Sequence, residues 1–519
     1  MNQNHFQVVV VGSGFGGSLT AMIAHRLGLS TALIERGRHP RFAIGESSTP
    51  LANLLLEEIA TEYDLPFVRP LCKWGPWQKQ LPQLACGLKR GFTFYHHEFG
   101  RPFGPDPEHR RQLLVGASPR DEVADTHWYR PDFDQYLMQQ TRALGVEYWD
   151  ETILDRAIVE PDGMRLSGTR HGRPLEITAG FVVDATGPRG FLSRTLGLPE
   201  KTFDSMPPTQ ALFSHFCHVG PLPDSFSANG RIPPYPPEQA AVHHVFPGGW
   251  VWVLKFNNGI TSAGVAATGA VAHELDFKSG EPAWQRLLGR LPSLAEIFGP
   301  ARAIIPFVHS PRLAFRSETV AGPHWALLPS AAGFVDPLLS TGFPLTLLGV
   351  KRIAGLLNPQ AEPASFSARR DDYTQSTLLE LDTAAQLVGT LYATMDRFDL
   401  FRELSLLYFA AASFSEAARR LGKFHLANSF LLCRHPVFAD RFRRLCELAR
   451  HPAATGEAST VPQQIRAAIE PFDVAGLTDR SRHPWYPAAA ADLLRAAPKL
   501  GASEPEIMTM LRKCGLVAD

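Results

Sequence analysis

Residues 8–35 read VVVVGSGFGGSLTAMIAHRLGLSTALIE. The four valines are a short run of β-branched residues, the pattern of a strand buried on both faces. Gly12, Gly14 and Gly17 follow in G-x-G-x-x-G spacing. Gly12 permits the tight turn, Gly14 admits a phosphate to the backbone, and Gly17 lets the next helix pack close to the strand. Leu19, Met22, Ile23 and Leu27 recur at helical steps, and a second apolar run, Ala32–Ile34, ends in Glu35. An acid about 20 residues beyond the glycines is where a carboxylate accepts from ribose hydroxyls. Strand, helix, second strand and terminal acid in order predict a dinucleotide site. The competing reading is a glycine-rich turn without a ligand.

The chain's 519 residues allow two or three domains or one composite one. Basic and acidic residues balance at 51 each, which speaks against nucleic acid or a membrane surface as the main partner. The six cysteines, at 72, 86, 217, 433, 446 and 514, form no C-x-x-C pair. No metal site is expected, and the thiols read as reduced, in a cytoplasmic protein. The first residues lack the basic flank and length of a signal peptide, and no run reaches the roughly 20 apolar residues of a membrane span.

Beyond this stretch, Gly45-Glu46-Ser47-Ser48 opens an apolar helix, with Thr49 as cap and Pro50 in the first turn. It fits a flavin's polar edge and an ordinary capped helix equally well. Alternation from Leu88 to Phe94 predicts a strand, with Lys89 among Cys86, Phe92 and Phe94. Most lysines are solvated; one held in apolar company loses pKa and becomes nucleophilic. Arg130 precedes a helix, either as a pyrophosphate clamp or as a surface arginine. Residues 152–183 read as three strands, with turns at Asp162-Gly163 and His171-Gly172, running into Asp184-Ala185-Thr186-Gly187. In GWVWVLKFNNG (249–259), Trp250, Trp252 and Leu254 share one strand face, which either walls a substrate cavity or fills a core. A loop holding Asp336 leads to Ser340-Thr341-Gly342, which open an apolar helix whose N-terminus favours an anion or binds only water. Beyond about 360 the chain is helical, with a loop at 451–462 and no visible chemistry.

The glycine motif with Glu35, the Asp184–Gly187 turn and the 332–342 loop together resemble FAD-dependent monooxygenase-like proteins. HPRFAIGESSTP (39–50), ACGLKRGFTF (85–94), HHVFPGGWVWVLKFNN (243–258) and LLPSAAGFVDPLLSTG (327–342) are similar, within that group, to flavin-dependent halogenases, and among these to free-standing halogenases of phloroglucinol-type phenols. The resemblance implies an α/β fold: a discontinuous Rossmann-like FAD-binding domain (1–200 and 300–358), an interleaved β-rich substrate-cavity domain (201–299) and a helical C-terminal region (359–519). It implies FAD, used as FADH2, at Gly12, Gly14, Gly17, Glu35, Glu46, Ser47, Arg130, Asp184, Gly187, Ser330 and Asp336. Chloride or bromide falls at Ser340, Thr341 and Gly342. Lys89 takes the place of the family's catalytic lysine, and Trp250, Trp252, Phe92 and Phe94 bound the substrate.

On this reading FADH2 from a separate NAD(P)H-dependent flavin reductase, O2 and halide give hypohalous acid. Lys89 presents it to a small electron-rich aromatic, most simply a free phenol. Two departures stand out. The family's W-x-W-x-I-P is W-V-W-V-L-K here, so that Lys255 replaces a proline and is expected to loosen the strand or bring charge into the cavity. The G-D-A segment of related flavoproteins is Pro329-Ser330-Ala331, which loses a carboxylate. The alternatives are a monooxygenase that hydroxylates its substrate, supported by Lys255, and a flavin-binding protein without catalysis.

Overall fold

Val8–Val11 are the buried half of the strand His5–Val11, which lies in the middle of a parallel sheet. The computed structural model describes residues 4–104, 106–226, 232–362, 365–450 and 460–517. Among these, the sheet runs in the order Ala321–Gly322, Trp325–Leu327, Arg173–Asp184, His5–Val11, Thr31–Ile34, Glu147–Trp149. Every pairing from Trp325–Leu327 to Glu147–Trp149 is parallel. Register does the functional work: Val11 pairs with both Ile34 and Asp184, and Asp184 pairs with Leu327. Four strands therefore end level, and the glycine motif, Glu35, the Asp184–Gly187 turn and the loop after Leu327 emerge along one edge. In open α/β sheets that edge is where ligands sit.

Gly17 fixes the approach of the first helix, Phe15–Arg26: a Cβ there would lie 1.8 Å from the Gly12 carbonyl oxygen. Gly12 itself has φ +100°, open to few other residues. The expected strands of 152–183 are Thr152–Glu160, Gly163–Arg170 and Arg173–Asp184, antiparallel and turning at Asp162-Gly163 and His171-Gly172.

A second sheet takes strands from outside 201–299. Its order is Arg302–Ala303, Thr209–Cys217, Ile260–Thr268, Gly249–Lys255, Ala241–Phe246, Gly91–His96, Gln112–Gly116, Trp485–Tyr486. Its alternation separates two cores. Val251 and Val253 face a small core with Trp284, Leu287 and Leu294, while Trp250, Trp252, Phe92 and Phe94 belong to the main one. Lys255 does not loosen its strand, which continues through it to pair with Thr261. Its ammonium meets Glu238 at 2.5 Å, and both side chains are about one-third exposed.

The single strand expected over 88–94 is instead two. Cys86–Lys89 pairs with Asp125–Trp128 as a separate two-stranded ribbon, and Gly91–His96 enters the second sheet. The break is at Arg90, whose N–H leaves both ladders for the Gln239 carbonyl. The C-terminal region is helical, led by Phe366–Tyr392 and Phe398–Arg420; the latter ends before Gly422 at φ +73°. Of the loop expected at 451–462, residues 451–459 lie outside the described residues, and a helix begins at Val461. No helix among the described residues is long and apolar enough to cross a membrane.

Candidate active site

At the level strand ends, Arg41 and Arg130 converge on Gly14. A Cβ there would lie 3.5 Å from an Arg130 nitrogen and 3.7 Å from an Arg41 nitrogen. Arg130 is buried, bonded to both oxygens of Asp134 at 2.9 and 2.7 Å and to the Gly45 carbonyl at 2.9 Å. It is therefore a fixed charge at the mouth of the glycine turn and not a loose surface arginine. Around it, His39 Nδ1, Arg41 Nε and Glu46 Oε2 are buried without hydrogen-bond partners. Orphaned polar atoms about a glycine cradle with two guanidinium groups fit a dinucleotide's phosphates and polar edge.

Individual cofactor candidates fare differently. Glu35 accepts from the Ser13 N–H at 3.0 Å, the Ser13 hydroxyl at 2.8 Å, the Gly37 N–H at 3.1 Å and Arg41 at 3.2 Å. Burial opposes its ionisation, but the Arg41 guanidinium and these donors hold its carboxyl below the usual range. The Asp184 carboxylate accepts from Thr186 and from the Leu192 N–H at 2.6 Å, and so shapes its own turn. Gly187, at φ +81°, has open space where a side chain would stand. Ser330 lies in the short helix Pro329–Ala332 and is partly exposed. Glu46 receives His215 Nε2 at 2.9 Å, both groups being buried.

Asp336 also points inward. It accepts from Trp250 Nε1 at 3.2 Å, from the Leu338 N–H at 3.0 Å and from the Tyr392 hydroxyl at 2.9 Å. Burial pushes its carboxyl up to about 7. It thereby ties the second sheet and a C-terminal helix to the loop that carries the halide candidates. In that loop Leu339 and Ser340 both have positive φ, +63° and +55°. Such geometry costs of order 1–3 kcal/mol per residue and persists only where the surroundings enforce it. It sets Ser340, Thr341 and Gly342 at the N-terminus of the helix Gly342–Leu357, where N–H groups lack helical partners and nothing stands over Gly342.

Lys89 is wholly buried. Its Nζ donates to the Ser47 hydroxyl at 2.8 Å and to the Ser48 carbonyl, and stands 3.8 Å from the Phe92 ring centroid. Ser47, expected at the flavin, thus holds the lysine. Burial draws the ammonium down to about 7, with Asp125 opposing. The Phe343 ring stacks on Trp128 at 4.2 Å and meets Phe15 at 5.0 Å. Trp128 closes the ribbon opposite Cys86. Glycine turn, halide-loop helix and lysine ribbon therefore share one aromatic joint.

The Phe92 ring against the Lys89 nitrogen also lines a cavity of about 410 Å³, whose wall includes Thr49, Lys73, Val115, Phe409 and Ser413. Phe94, Trp250 and Trp252 are not part of that wall. Phe94 stacks on His243 at 4.3 Å, and Trp252 fills the space above Gly264, where a Cβ would lie 2.4 Å from the indole. Sequence reasoning missed Arg41, Lys73, Asn53 and Asp125, and it treated the helix bearing Tyr408, Phe409 and Ser413 as core alone. A charged pair, Glu416 and Arg420, on that same helix and cavity wall was the available signal.

A family model described as tryptophan halogenase matches residues 126–405. The chain is 28% identical over 407 residues to monodechloroaminopyrrolnitrin halogenase PrnC of Pseudomonas fluorescens, covering 77% of this chain and 70% of that protein. It is 26% identical over 541 aligned positions to tetracycline 7-halogenase of Kitasatospora aureofaciens, covering 98% and 95%. The halogenase PltM, solved in complex with phloroglucinol and FAD, superposes with a TM-score of 0.79 at 23% identity over 92% of this chain and 99% of that one. The α/β fold, the glycine cradle at level strand ends and a family match over more than half the chain agree: this chain belongs to the tryptophan halogenase family of flavin-dependent halogenases.

Proposed function

We propose that this chain is an FAD-dependent halogenase of free phenols, in which Lys89 delivers the halogen. The carrying observation is one buried amine, drawn toward neutrality and set one ring away from a 410 Å³ cavity. Bound FAD, reduced by a separate NAD(P)H-dependent reductase, would supply the oxidising chemistry by which O2 and halide give hypohalous acid. Gly12, Gly14, Gly17, Arg41 and Arg130 would hold the phosphates of FAD, and the helix N-terminus at Ser340–Gly342 would hold the halide. The unit formed by 1–200 and 300–358 carries these groups. Lys89 takes the halogen on its neutral nitrogen, releasing water, or holds hypohalous acid by a hydrogen bond. The ring carbon then receives the halogen and loses its proton. Enclosure keeps water and competing nucleophiles from the lysine, and the cavity wall selects the ring position.

PltM is named with phloroglucinol, and the cavity here is of a size that encloses a small aromatic. The observation that favoured hydroxylation is gone, because Lys255 pairs with Glu238 away from this cavity. The test is a panel of phenols, indoles and pyrroles with reductase and halide, read by mass spectrometry. Halogenated phenols are expected; product lacking halogen, or formed without halide, sinks the reading. In the same assay Ser413→Phe, which places a ring in the cavity, is expected to raise the phenol KM by about tenfold with flavin affinity unchanged.

A further inference from the structure

Asp125 stands directly across the ribbon from Lys89, the position from which a carboxylate ordinarily takes a lysine as its partner. It does not do so here. Its Oδ1 receives Lys73 Nζ at 3.0 Å and Asn53 Nδ2 at 2.8 Å, while Lys89 Nζ turns to Ser47 and Ser48. Asp125, Asn53 and Lys89 are fully buried; Lys73 is a cavity-wall residue with its side chain about one-quarter exposed. One buried carboxylate thus lies beside two lysines and is assigned to the outer one.

We propose that Lys73, with Asn53, holds the Asp125 carboxylate away from Lys89 and so leaves the Lys89 nitrogen without a directly bonded anionic partner; Lys73 is a positioning residue for the halogen relay. The functional part of this proposal rests on Lys89 being the relay; the placement of charge does not. The remaining groups facing Lys89 agree with it. His127 on the ribbon and His243 on the second sheet are both buried, and burial together with the nearby lysine keeps their imidazoles neutral. The helix start at Ser47–Ser48 offers neutral oxygens, and the second sheet adds the Phe92 ring. Burial works against the charge on Lys73 as well, but the Asp125 and Glu416 carboxylates hold it protonated. The other oxygen of Asp125 is buried without a partner, so this carboxylate has unused capacity to accept an ammonium. Removing Lys73 leaves Lys89, directly across the ribbon, to compensate that anion, and an opposite charge within about 4–6 Å raises an ammonium's pKa by roughly 1–3 units.

The test is a titration of full-length protein labelled with 13C at lysine Cε, in which the resonance lost in Lys89→Met identifies Lys89. In the parent its midpoint is expected near 7. In Lys73→Met it is expected to rise by about 1–3 units, and in Lys73→Met combined with Asp125→Asn to return to the parental value or slightly below it, since Asp125 raises Lys89 in the parent. The acid limb of the halogenation pH profile is expected to move with it. An unmoved midpoint in Lys73→Met overturns the proposal. Asp125→Asn alone keeps it exposed should Lys73→Met not fold: a fall of less than about one unit is expected, because Asp125 acts on Lys89 without bonding to it, and a fall of about a unit or more shows that Asp125 already serves Lys89 directly and overturns it. If Lys89→Met still halogenates while these shifts appear, the relay reading has failed and the charge placement has not.

Discussion

Lys89→Met is expected to lower halogenation by about a thousandfold or more while flavin oxidation by O2 continues at the parental rate. The side chain keeps its length and apolar stem, so the cavity wall at Phe92 and the bed at Ser47 survive. Only the nitrogen that carries the halogen is lost. Stability separates this variant from a merely misfolded one. The Lys89 ammonium is drawn from 10.5 to about 7 because folding strips its water. The unfolded chain therefore binds the proton more tightly than the native one, and stability rises with pH between these two values. Methionine removes that cost, so Lys89→Met is expected to be more stable than the parent at and below pH 7, by on the order of a few kcal/mol. The difference should shrink toward pH 10.5. Denaturant unfolding of both proteins at three pH values reads it. A variant that loses activity and stability together at pH 7 points to damaged structure, and one that still halogenates at a comparable rate removes the relay.

The part of this site legible in the sequence is the part written locally. Val8–Glu35 encodes strand, turn, helix and acid within 28 residues, and the three strands of 152–184 announce themselves by their turns. Lys89 was visible through its apolar neighbours. The charges around it were not: Asp125 comes opposite Lys89 only through a two-stranded ribbon whose strands are 35 residues apart in the chain, and Lys73 joins from a third segment. Alternation over 88–94 ran through Arg90 without showing that the chain changes sheets there, because the period of two is the same on both sides of the break. The Phe398–Arg420 helix misled for a related reason. A stripe of apolar residues looks the same whether it covers core or cavity, and only the neighbouring strands Gly91–His96 and Gln112–Gly116 decide which. Trp250 and Trp252 were ambiguous between cavity and core for want of the same information; Gly264 and Asp336, their partners, lie 10 or more residues away.

Asp336→Leu is expected to cost about 3–5 kcal/mol of stability and to reduce halogenation chiefly through a higher KM for halide. The carboxyl is the common acceptor for the Trp250 indole, the Leu338 N–H and the Tyr392 hydroxyl, all in the interior. A leucine of similar bulk leaves three polar groups buried and unpaired. The Leu338 N–H matters most for function, because it anchors the turn in which Leu339 and Ser340 are held at positive φ. Released, these residues relax to ordinary backbone and the N–H groups at Thr341 and Gly342 lose their aim. Asp336→Asn keeps one acceptor and is expected to cost about 1–2 kcal/mol, with most of the halide affinity retained. Its value lies in the pH dependence. Burial raises the Asp336 carboxyl from 3.8 to about 7, so its protonated form stabilises the fold fully below the lower value, and that contribution is lost as pH rises through the upper one. Asparagine cannot titrate. The stability difference between parent and Asp336→Asn should therefore favour the parent most near pH 4 and narrow steadily toward pH 7. This window lies wholly below that of Lys89, so the two buried groups can be told apart in one series of unfolding curves. A difference that stays flat across the window means that the carboxyl is ionised throughout. The loop would then be held by a charge–dipole contact with the Trp250 and Leu338 N–H groups, and Asp336→Leu should cost correspondingly more.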